Sequence, residues 1–219
     1  MKRTSNIIIT GDVHGNFGQL NKVINKKKPD TVICLGDFGF WPTLFTPDCV
    51  KPNDSIVYWI DGNHEHFDNL KKRTSNEMIP GVVYVPRGTV MRVNGLRALF
   101  LGGADSIDKH WRTPGHDWFP DELVTAQDIA VSIESIEAAG GIDIVFSHTC
   151  PKEFGVLDQR WDKVNDPSRI WLSEILNNFK PQRWYFGHWH WYGMGVTQGC
   201  HWTALDYAGH GGRPWWVYL

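Results

Sequence analysis

The feature that most constrains the fold of this chain is a repeated pairing of an apolar run with a short polar segment. The apolar runs are four or five residues long, as buried strands are, and each polar segment begins at once or one residue later. The runs cover residues 6–10, 31–35, 56–60, 142–146 and 183–186. The polar segments are Gly11-Asp12-Val13-His14-Gly15, Gly36-Asp37, Gly62-Asn63-His64-Glu65, Ser147-His148 and Gly187-His188-Trp189-His190. The sequence therefore predicts five strands that end in oxygen and nitrogen ligands.

The first two runs are joined by a segment with helical periodicity. Apolar residues from Phe17 to Ile24 recur at helical spacing within residues 17–27, and Pro29 ends the pattern. The basic run 26–28 suits the C-terminus of this helix, where cations interact favourably with the helix dipole. A strand–helix–strand unit of this kind predicts parallel strands and a layered α/β fold.

The rest of the chain contains both strand and helix signals. Asn94-Gly95 between two apolar runs is a strong β-hairpin signal, and Ser168 is a candidate N-cap. We expect helices at residues 66–73, in the region that begins at Pro120 (clearest at 132–139) and at 168–179, and strands at 82–85, 89–93 and 96–101. Short strands and glycine turns in the last forty residues predict an antiparallel edge.

A loop rich in proline and aromatic residues covers residues 36–53, and two polar loops cover 102–120 and 149–167. The loop at 102–120 is longer than a simple connection, and loops of that length are usually functional lids or disordered. No internal repeat or linker divides the chain, so we expect residues 1–219 to form one domain. The net charge of −2 argues against nucleic acid as a bulk partner. Neither a secretory leader nor an apolar stretch of roughly 20 residues is present, which predicts a cytoplasmic protein without a membrane partner. The four cysteines form no CxxC pair, which argues against a disulfide framework or a zinc ribbon.

Twelve tryptophans are several times the usual number for 219 residues. Trp59, Trp171 and Trp184 are expected to be core residues. Four others lie in or beside the polar loops near the candidate ligands, and they either line a pocket and stack on a planar substrate group or simply pack. These four are Trp41, Trp111, Trp189 and Trp191.

The polar segments carry the ligand types of a two-metal hydrolytic centre. Two divalent ions about 3.5–4 Å apart can hold phosphate oxygens and activate a water, and they require carboxylate, imidazole and amide ligands. Asp12 and His14 can turn toward one ion if the turn between them is tight, and His188 and His190 repeat this spacing. Each motif alone is common in surface loops, but chance does not readily account for all five at strand ends. The other five histidines, at positions 66, 110, 116, 201 and 210, are expected in loops or at the surface.

The ordered set of motifs resembles the signature of the calcineurin-like metallophosphoesterase family: Asp-x-His, Gly-Asp, Gly-Asn-His-(Asp/Glu), a single His and Gly-His-x-His. The resemblance implies a four-layer α-β-β-α sandwich with mixed sheets and a dinuclear metal centre at the C-terminal ends of the strands. It implies Asp12, His14 and His190 as ligands of one metal, and Asn63, His148 and His188 as ligands of the other. Asp37 and a hydroxide would bridge the two ions, and His64 would protonate the leaving group. Manganese is the expected metal, and iron, zinc or nickel also tolerate these ligands.

The chain departs from the family's protein phosphatases at the second motif. Residues 36–41 read Gly-Asp-Phe-Gly-Phe-Trp, without the second Asp and the Arg of Gly-Asp-x-x-Asp-Arg-Gly. A protein phosphatase is therefore not expected, and Arg112 or Arg87 is a candidate to contact phosphate instead. Arg112 and Trp41 are the candidate substrate-binding residues.

The leading hypothesis is a metal-dependent phosphatase or phosphodiesterase that acts on a small or nucleotide-like phosphoester. Two alternatives stay open at the level of sequence. One is a catalytically inactive member of the family that serves as an interaction scaffold, although no ligand is missing here. The other is a nuclease that acts on DNA ends, against which the near-neutral charge argues.

Overall fold

The computed structural model describes residues 6–41, 47–156 and 166–219. Within these ranges the chain forms strands, α helices and short 3₁₀ turns in alternation. The strands are β1 (Ile7–Thr10), β2 (Thr31–Cys34), β3 (Ile56–Trp59), β4 (Glu77–Ile79), β5 (Val82–Tyr84), β6 (Thr89–Val93), β7 (Leu96–Leu101), β8 (Ile144–Ser147), β9 (Arg183–Phe186), β10 (Gly193–Thr197), β11 (Cys200–Ala204) and β12 (Trp216–Tyr218). The helices are α1 (Phe17–Lys27), α2 (Phe67–Lys71), α3 (Ala126–Ala138) and α4 (Pro167–Phe179), and 3₁₀ turns lie at Pro47–Cys49, Lys109–Trp111 and Pro120–Glu122.

The strands form two six-stranded mixed sheets with the same plan. The first sheet has the order β12-β1-β2-β3-β5-β4 and the second has the order β10-β11-β9-β8-β7-β6. In each sheet the four inner strands are parallel and the strand at either edge is antiparallel. The carboxyl ends of the parallel strands of each sheet therefore meet at one edge, which is where an open α/β sheet places its ligands.

Successive side chains of the buried strands point to opposite faces of each sheet, and they pack into the layers on either side of it. On β2, Ile33 faces the second sheet, whereas Val32 and Cys34 face helices α1 and α2. The layer between the sheets is packed with side chains from both, including Phe100 and Phe146. A third cluster packs α3 and α4 on the outer face of the second sheet. Each fully buried Ile, Leu or Phe in these layers contributes roughly 1.5–3 kcal/mol. The predicted four-layer α-β-β-α sandwich is confirmed.

Local signals placed several elements correctly. Helix α1 has the predicted bounds, and Lys28 after it adopts the left-handed conformation that ends a helix. The hairpin between β6 and β7 is also as predicted, with φ of 49° at Asn94 and 83° at Gly95, as a two-residue type I′ turn requires.

Three predictions were wrong in detail. Helix α4 is capped by Asp166, whose carboxylate accepts a hydrogen bond from the Ser168 backbone, because Pro167 occupies the first helical position. The helical region predicted to begin at Pro120 contains a 3₁₀ turn at Pro120–Glu122, and helix α3 itself begins only after the capping box formed by Thr125 and Asp128. In the last forty residues, β10 and β12 are antiparallel edges of different sheets, but β11 is an inner strand parallel to β9. Strand β4 was not predicted.

Residues 42–46 and 157–165 of the predicted loops lie outside the described residues. In the part of the chain that the structure describes, no helix is both long and apolar enough to cross a membrane. The cytoplasmic location stays a prediction. All four cysteines are free thiols.

Candidate metal centre

The two sheets bring all seven predicted ligands to one place. Asp12, Asp37 and Asn63 follow β1, β2 and β3 of the first sheet. His148 follows β8 of the second sheet, and the segment with His188 and His190 follows β9. Each residue therefore lies at the carboxyl end of a parallel strand, and the site is formed where the two sheets meet.

The first group of ligands consists of Asp12, His14, Asp37 and His190, whose candidate ligand atoms all lie within 4.8 Å of one another. The Nε2 atoms of His14 and His190 are 2.9 Å apart, and His190 Nε2 is 3.1 Å from Asp12 Oδ2. This spacing leaves each atom within reach of a common cation at the centre of the group.

The second group is centred on the amide oxygen of Asn63. This Oδ1 lies 3.0 Å from His148 Nε2 and 2.9 Å from His188 Nδ1. The other ring nitrogen of His148, Nδ1, is 2.7 Å from the Leu35 carbonyl oxygen. Because a carbonyl only accepts, Nδ1 carries a proton. Burial would lower the pKa of His148, but the carboxylates of Asp37 and Asp12 raise it to about 9, so Nε2 has to release its proton before it can bind a cation.

Asp37 lies between the two groups. Its Oδ2 is 3.7 Å from His14 Nε2, and its Oδ1 is 3.4 Å from His148 Nε2. Each carboxylate oxygen thus faces a different group, which is the arrangement that a shared ligand needs. Oδ1 also accepts a hydrogen bond of 2.8 Å from the backbone of His64, which fixes the orientation of the carboxylate.

The donor set fits divalent cations. Asp12 Oδ2 is buried, and in the described part of the chain it accepts no well-aligned hydrogen bond, although His190 Nε2 lies 3.1 Å away. When the Nε2 atoms carry no proton, the lone pair of His148 faces Asn63 Oδ1 over 3.0 Å, and those of His14 and His190 face each other over 2.9 Å. Such a concentration of lone pairs is unfavourable unless positive charge lies among them. Carboxylate, imidazole and amide oxygen together suit manganese, iron, zinc or nickel.

The pKa values of the acidic ligands agree with this reading. Burial alone would raise the pKa of Asp37, but the imidazoles of His148, His64 and His14 hold it well below its usual value. Burial would likewise raise the pKa of Asp12, and the adjacent imidazoles of His190 and His148 reverse the direction. Burial, assisted by His148, lowers the pKa of His188 to about 3, so that this ring is neutral and free to coordinate.

The ligand backbone is held in an uncommon conformation. His14, Asp37, His188 and His190 have φ of 48°, 43°, 66° and 48°, the left-handed region that non-glycine residues rarely adopt. Specific contacts hold them there: the Asp37 carbonyl accepts from the His14 backbone, and Asp12 Oδ1 accepts from the His188 backbone. A side chain at Gly62 or Gly187 would clash with the Asp37 or the Asp12 carboxylate. The glycines of these motifs are therefore needed for close approach.

Sequence reasoning assigned no role to Glu65, which supports the loop that carries Asp37. Its buried carboxylate accepts hydrogen bonds from the backbones of Phe38, Gly39 and Phe40, at 2.7, 3.2 and 2.6 Å. Its position directly after His64 was the only signal in the sequence. The backbone groups that it reaches lie more than twenty residues away and could not be predicted from spacing.

The structure places His64 and Arg112 side by side at the rim of the centre. Their Nε2 and Nη2 atoms are 3.0 Å apart, and Arg112 is also paired with Asp108. Burial lowers the pKa of His64. The carboxylate of Asp37 raises this pKa, and the positive charge of Arg112 lowers it. The other candidate phosphate ligand, Arg87, is committed elsewhere, because it is buried in ion pairs with Asp61 and Asp128.

A cavity of about 340 Å³ opens beside the ligands. Besides the ligands and His64, its walls include Ile107, Arg112 and Trp189. Trp41 lies nearby, and its indole N–H donates to the His64 carbonyl oxygen. Trp111 is 88% exposed on the loop that carries Arg112.

The remaining aromatic residues have other positions. Trp191 packs with Trp202 against the outer face of the second sheet and does not line this cavity. Trp59 and Trp184 are buried in the core as predicted, and Trp171 packs against it. Of the five other histidines, His110, His116 and His201 are exposed, His66 caps α2, and His210 pairs with Asp206.

The fold is a two-sheet α/β sandwich, and the candidate ligands lie where the two sheets meet. The family model of calcineurin-like phosphoesterases matches residues 5–192, and the chain belongs to this family. No curated protein sequence matches the chain.

Solved structures share the fold at low sequence identity. The protein TT1561 of Thermus thermophilus is 12% identical with a TM-score of 0.63, over 95% of this chain and 92% of that one. The phosphopantetheinyl hydrolase PptH of Mycobacterium tuberculosis is 16% identical with a TM-score of 0.50, over 99% and 97% of the two chains. A putative 5′-nucleotidase of Staphylococcus aureus is 14% identical with a TM-score of 0.53, over 93% of this chain and 49% of that one.

Proposed function

We propose that this chain is a metal-dependent phosphoesterase that hydrolyses a phosphomonoester or phosphodiester of a small or nucleotide-like molecule. The observation that carries the proposal is the Asp37 carboxylate, which turns one oxygen to each of two groups of ligands. A carboxylate in this position is what a dinuclear centre requires and what a single metal site does not.

The proposal assigns each ligand to an ion. Asp12, His14 and His190 would hold one cation, Asn63, His148 and His188 would hold the other, and Asp37 would be shared between them. Two divalent cations, manganese or else iron, zinc or nickel, would supply Lewis acidity and lower the pKa of water between them.

His64 and Arg112 act on the substrate in this proposal. The His64 ring lies with its centroid 5.4 Å from that of the ligand His14, so it is close enough to face a bound phosphate without being a ligand. There it would give a proton to the leaving oxygen. Arg112 is the cation that reaches the same cavity, and its guanidinium suits two phosphate oxygens.

The size and walls of the cavity favour a small substrate. About 340 Å³ accommodates a nucleotide or a comparable ester, and Trp189 and Ile107 offer apolar surface to it. Trp41 extends this surface beside His64. Two structural neighbours are named a phosphopantetheinyl hydrolase and a putative 5′-nucleotidase, and both names indicate substrates of this size. We further propose that residues 1–219 act as one domain, since the site needs strands from both sheets.

Hydrolysis of nitrophenyl phosphate and bis-nitrophenyl phosphate by manganese-loaded protein tests the proposal. The wild type should hydrolyse at least one of these esters, and His64→Ala should lose most of the activity while it still binds metal. His201→Ala, at an exposed histidine of β11, is the matched control and should behave as the wild type. If the loaded wild type hydrolyses neither ester, or if His64→Ala is as active as the wild type, the proposal fails. A panel of nucleotides and other phosphoesters would then define the substrate.

A further inference from the structure

A chain of buried hydrogen bonds continues behind the ligand Asn63. The Asn63 side-chain nitrogen Nδ2 donates to Ser106 Oγ over 2.9 Å, and Ser106 Oγ donates to Glu122 Oε2 over 2.5 Å. The second carboxylate oxygen of Glu122, Oε1, accepts from the Phe119 backbone over 3.1 Å. All three residues are buried: Asn63 is 4% exposed, and Ser106 and Glu122 are each 1% exposed.

We propose that Ser106 and Glu122 are positioning residues that determine which end of the Asn63 amide faces the metal centre. The inference rests on the proposed function, since it takes Asn63 as a metal ligand. It assigns to these two residues a role that neither the ligand motifs nor the family match includes.

The direction of the hydrogen bonds follows from the chemistry of the last member. An ionised carboxylate has no proton to donate, so Glu122 accepts from both Phe119 and Ser106. Ser106 has a single hydroxyl proton, and once this is given to Glu122 only lone pairs remain toward Asn63. The amide must then turn its NH₂ group to Ser106. Its oxygen is left to face His148 and His188, where a cation needs it.

The oxygen and the NH₂ group of an amide have nearly the same shape, so without these hydrogen bonds packing alone would not select one orientation of Asn63. The reversed amide would place an NH₂ group among the ligands and remove one oxygen from the second ion. Partners that orient a ligand from behind typically change metal affinity by about 10–100-fold. We expect an effect of that size on the second ion and little effect on the first, whose ligands lie on the other side of Asp37.

Two variants break the chain at different points. Ser106→Ala removes the acceptor for the Asn63 NH₂ group. Glu122→Gln keeps the size of the side chain, but it has one acceptor oxygen for two donors, and its own NH₂ group can donate to Ser106. The Ser106 hydroxyl would then be free to donate toward Asn63, which favours the reversed amide. Ser132→Ala is the matched control, because its buried hydroxyl donates to the Asp128 carbonyl within α3, away from the ligands.

Calorimetric titration of metal-free protein with Mn²⁺, together with electron paramagnetic resonance of the loaded protein, tests the inference. Burial raises the pKa of Glu122 to about 7, so the titration is made at pH 8, where this carboxylate is mostly ionised. The wild type and Ser132→Ala should bind two ions and show the signal of a coupled pair. Ser106→Ala and Glu122→Gln should bind the second ion about 10–100-fold more weakly, with more of the signal from uncoupled Mn²⁺. Glu122→Gln provides the measurement should Ser106→Ala not fold.

Two results would overturn the inference, and they differ in what else they exclude. If the wild type binds two ions and both variants bind the second one within twofold of it, only the positioning role is lost. If the wild type binds no Mn²⁺ at all, the proposed function is lost as well.

Discussion

Replacement of Gly62 by alanine should disable the metal centre while leaving the fold intact. A methyl group at this position would overlap the backbone nitrogen and the Oδ1 atom of Asp37, far inside van der Waals contact. Relief requires Asp37 to move by roughly an ångström, and a displacement of that size can cost about 100-fold in rate. The same Oδ1 accepts from the His64 backbone and lies 3.4 Å from His148 Nε2, so both contacts would be disturbed.

The expected magnitudes separate catalysis from stability. A 100-fold loss in kcat/KM corresponds to about 2.7 kcal/mol of transition-state stabilisation. Overpacking of a buried site typically costs about 1–3 kcal/mol of unfolding free energy, and in a chain of this size each 1 kcal/mol lowers Tm by about 2–4 °C. Gly62→Ala should therefore unfold cooperatively at a lower temperature and bind Mn²⁺ poorly.

The matched control is Gly211→Ala. In the described structure an added methyl group at Gly211 meets open space, and its backbone is outside the left-handed region. This variant should match the wild type in Tm, in Mn²⁺ affinity and in activity. If Gly62→Ala retains the Mn²⁺ affinity and kcat/KM of the wild type within twofold, then Asp37 is not held where the geometry places it, and the reasoning is refuted.

Three further predictions address other parts of the molecule. Arg112→Ala should lower kcat/KM by about 10–100-fold without changing the metal content, because the loss is that of a phosphate contact; a proportional loss of bound metal would contradict this. The hydrogen bonds from Arg97 lower the pKa of Asp143 to about 2 from its usual 3.8, so this pair stabilises the fold above pH 3.8 and loses its effect as the pH falls through about 2. Urea unfolding should therefore show a difference between the wild type and Asp143→Asn that is larger at pH 5 than at pH 2. Gly95→Ala should reduce the unfolding free energy by about 1–2 kcal/mol, because φ at this position is 83°, and an unchanged urea midpoint would exclude a strained turn.

The positions of the candidate ligands at the strand ends could be predicted from the sequence because each one lies next to a strand signal. An apolar run followed by glycine and Asp, Asn or His marks both the strand and the end at which its ligand emerges. The parallel order of the inner strands then brings distant ends together, as it does for Asp12 and His188. The hairpin at Asn94-Gly95 was predictable for a related reason, since the turn chemistry is contained within two residues.

The residues that support the ligands were not predictable, because their contacts cross long stretches of chain. Glu65 reaches the backbone of Phe38, 27 residues upstream, and Ser106 reaches Asn63 across 43 residues. Neither interaction leaves a periodicity or a spacing in the sequence. The cap of α4 was missed at shorter range, because Asp166 and Ser168 are both good capping residues and only the presence of Pro167 between them decides which one lies outside the helix.

The strain and the charge of the centre predict how the protein responds to metal. Four ligand residues in the left-handed region cost of order 1–3 kcal/mol each, which is comparable with the whole stability of a typical domain. Cations that bind only the folded centre add stability by mass action, about 2.7 kcal/mol for a site at 100 times its Kd. Saturating Mn²⁺ should therefore raise Tm by about 5–10 °C per site relative to chelated protein. Asp12→Asn, which removes the negative charge of a carboxylate in the first group, should lose the increment that this site contributes. An equal Tm in Mn²⁺ and in chelator would mean that the lone pairs gathered here do not receive a cation.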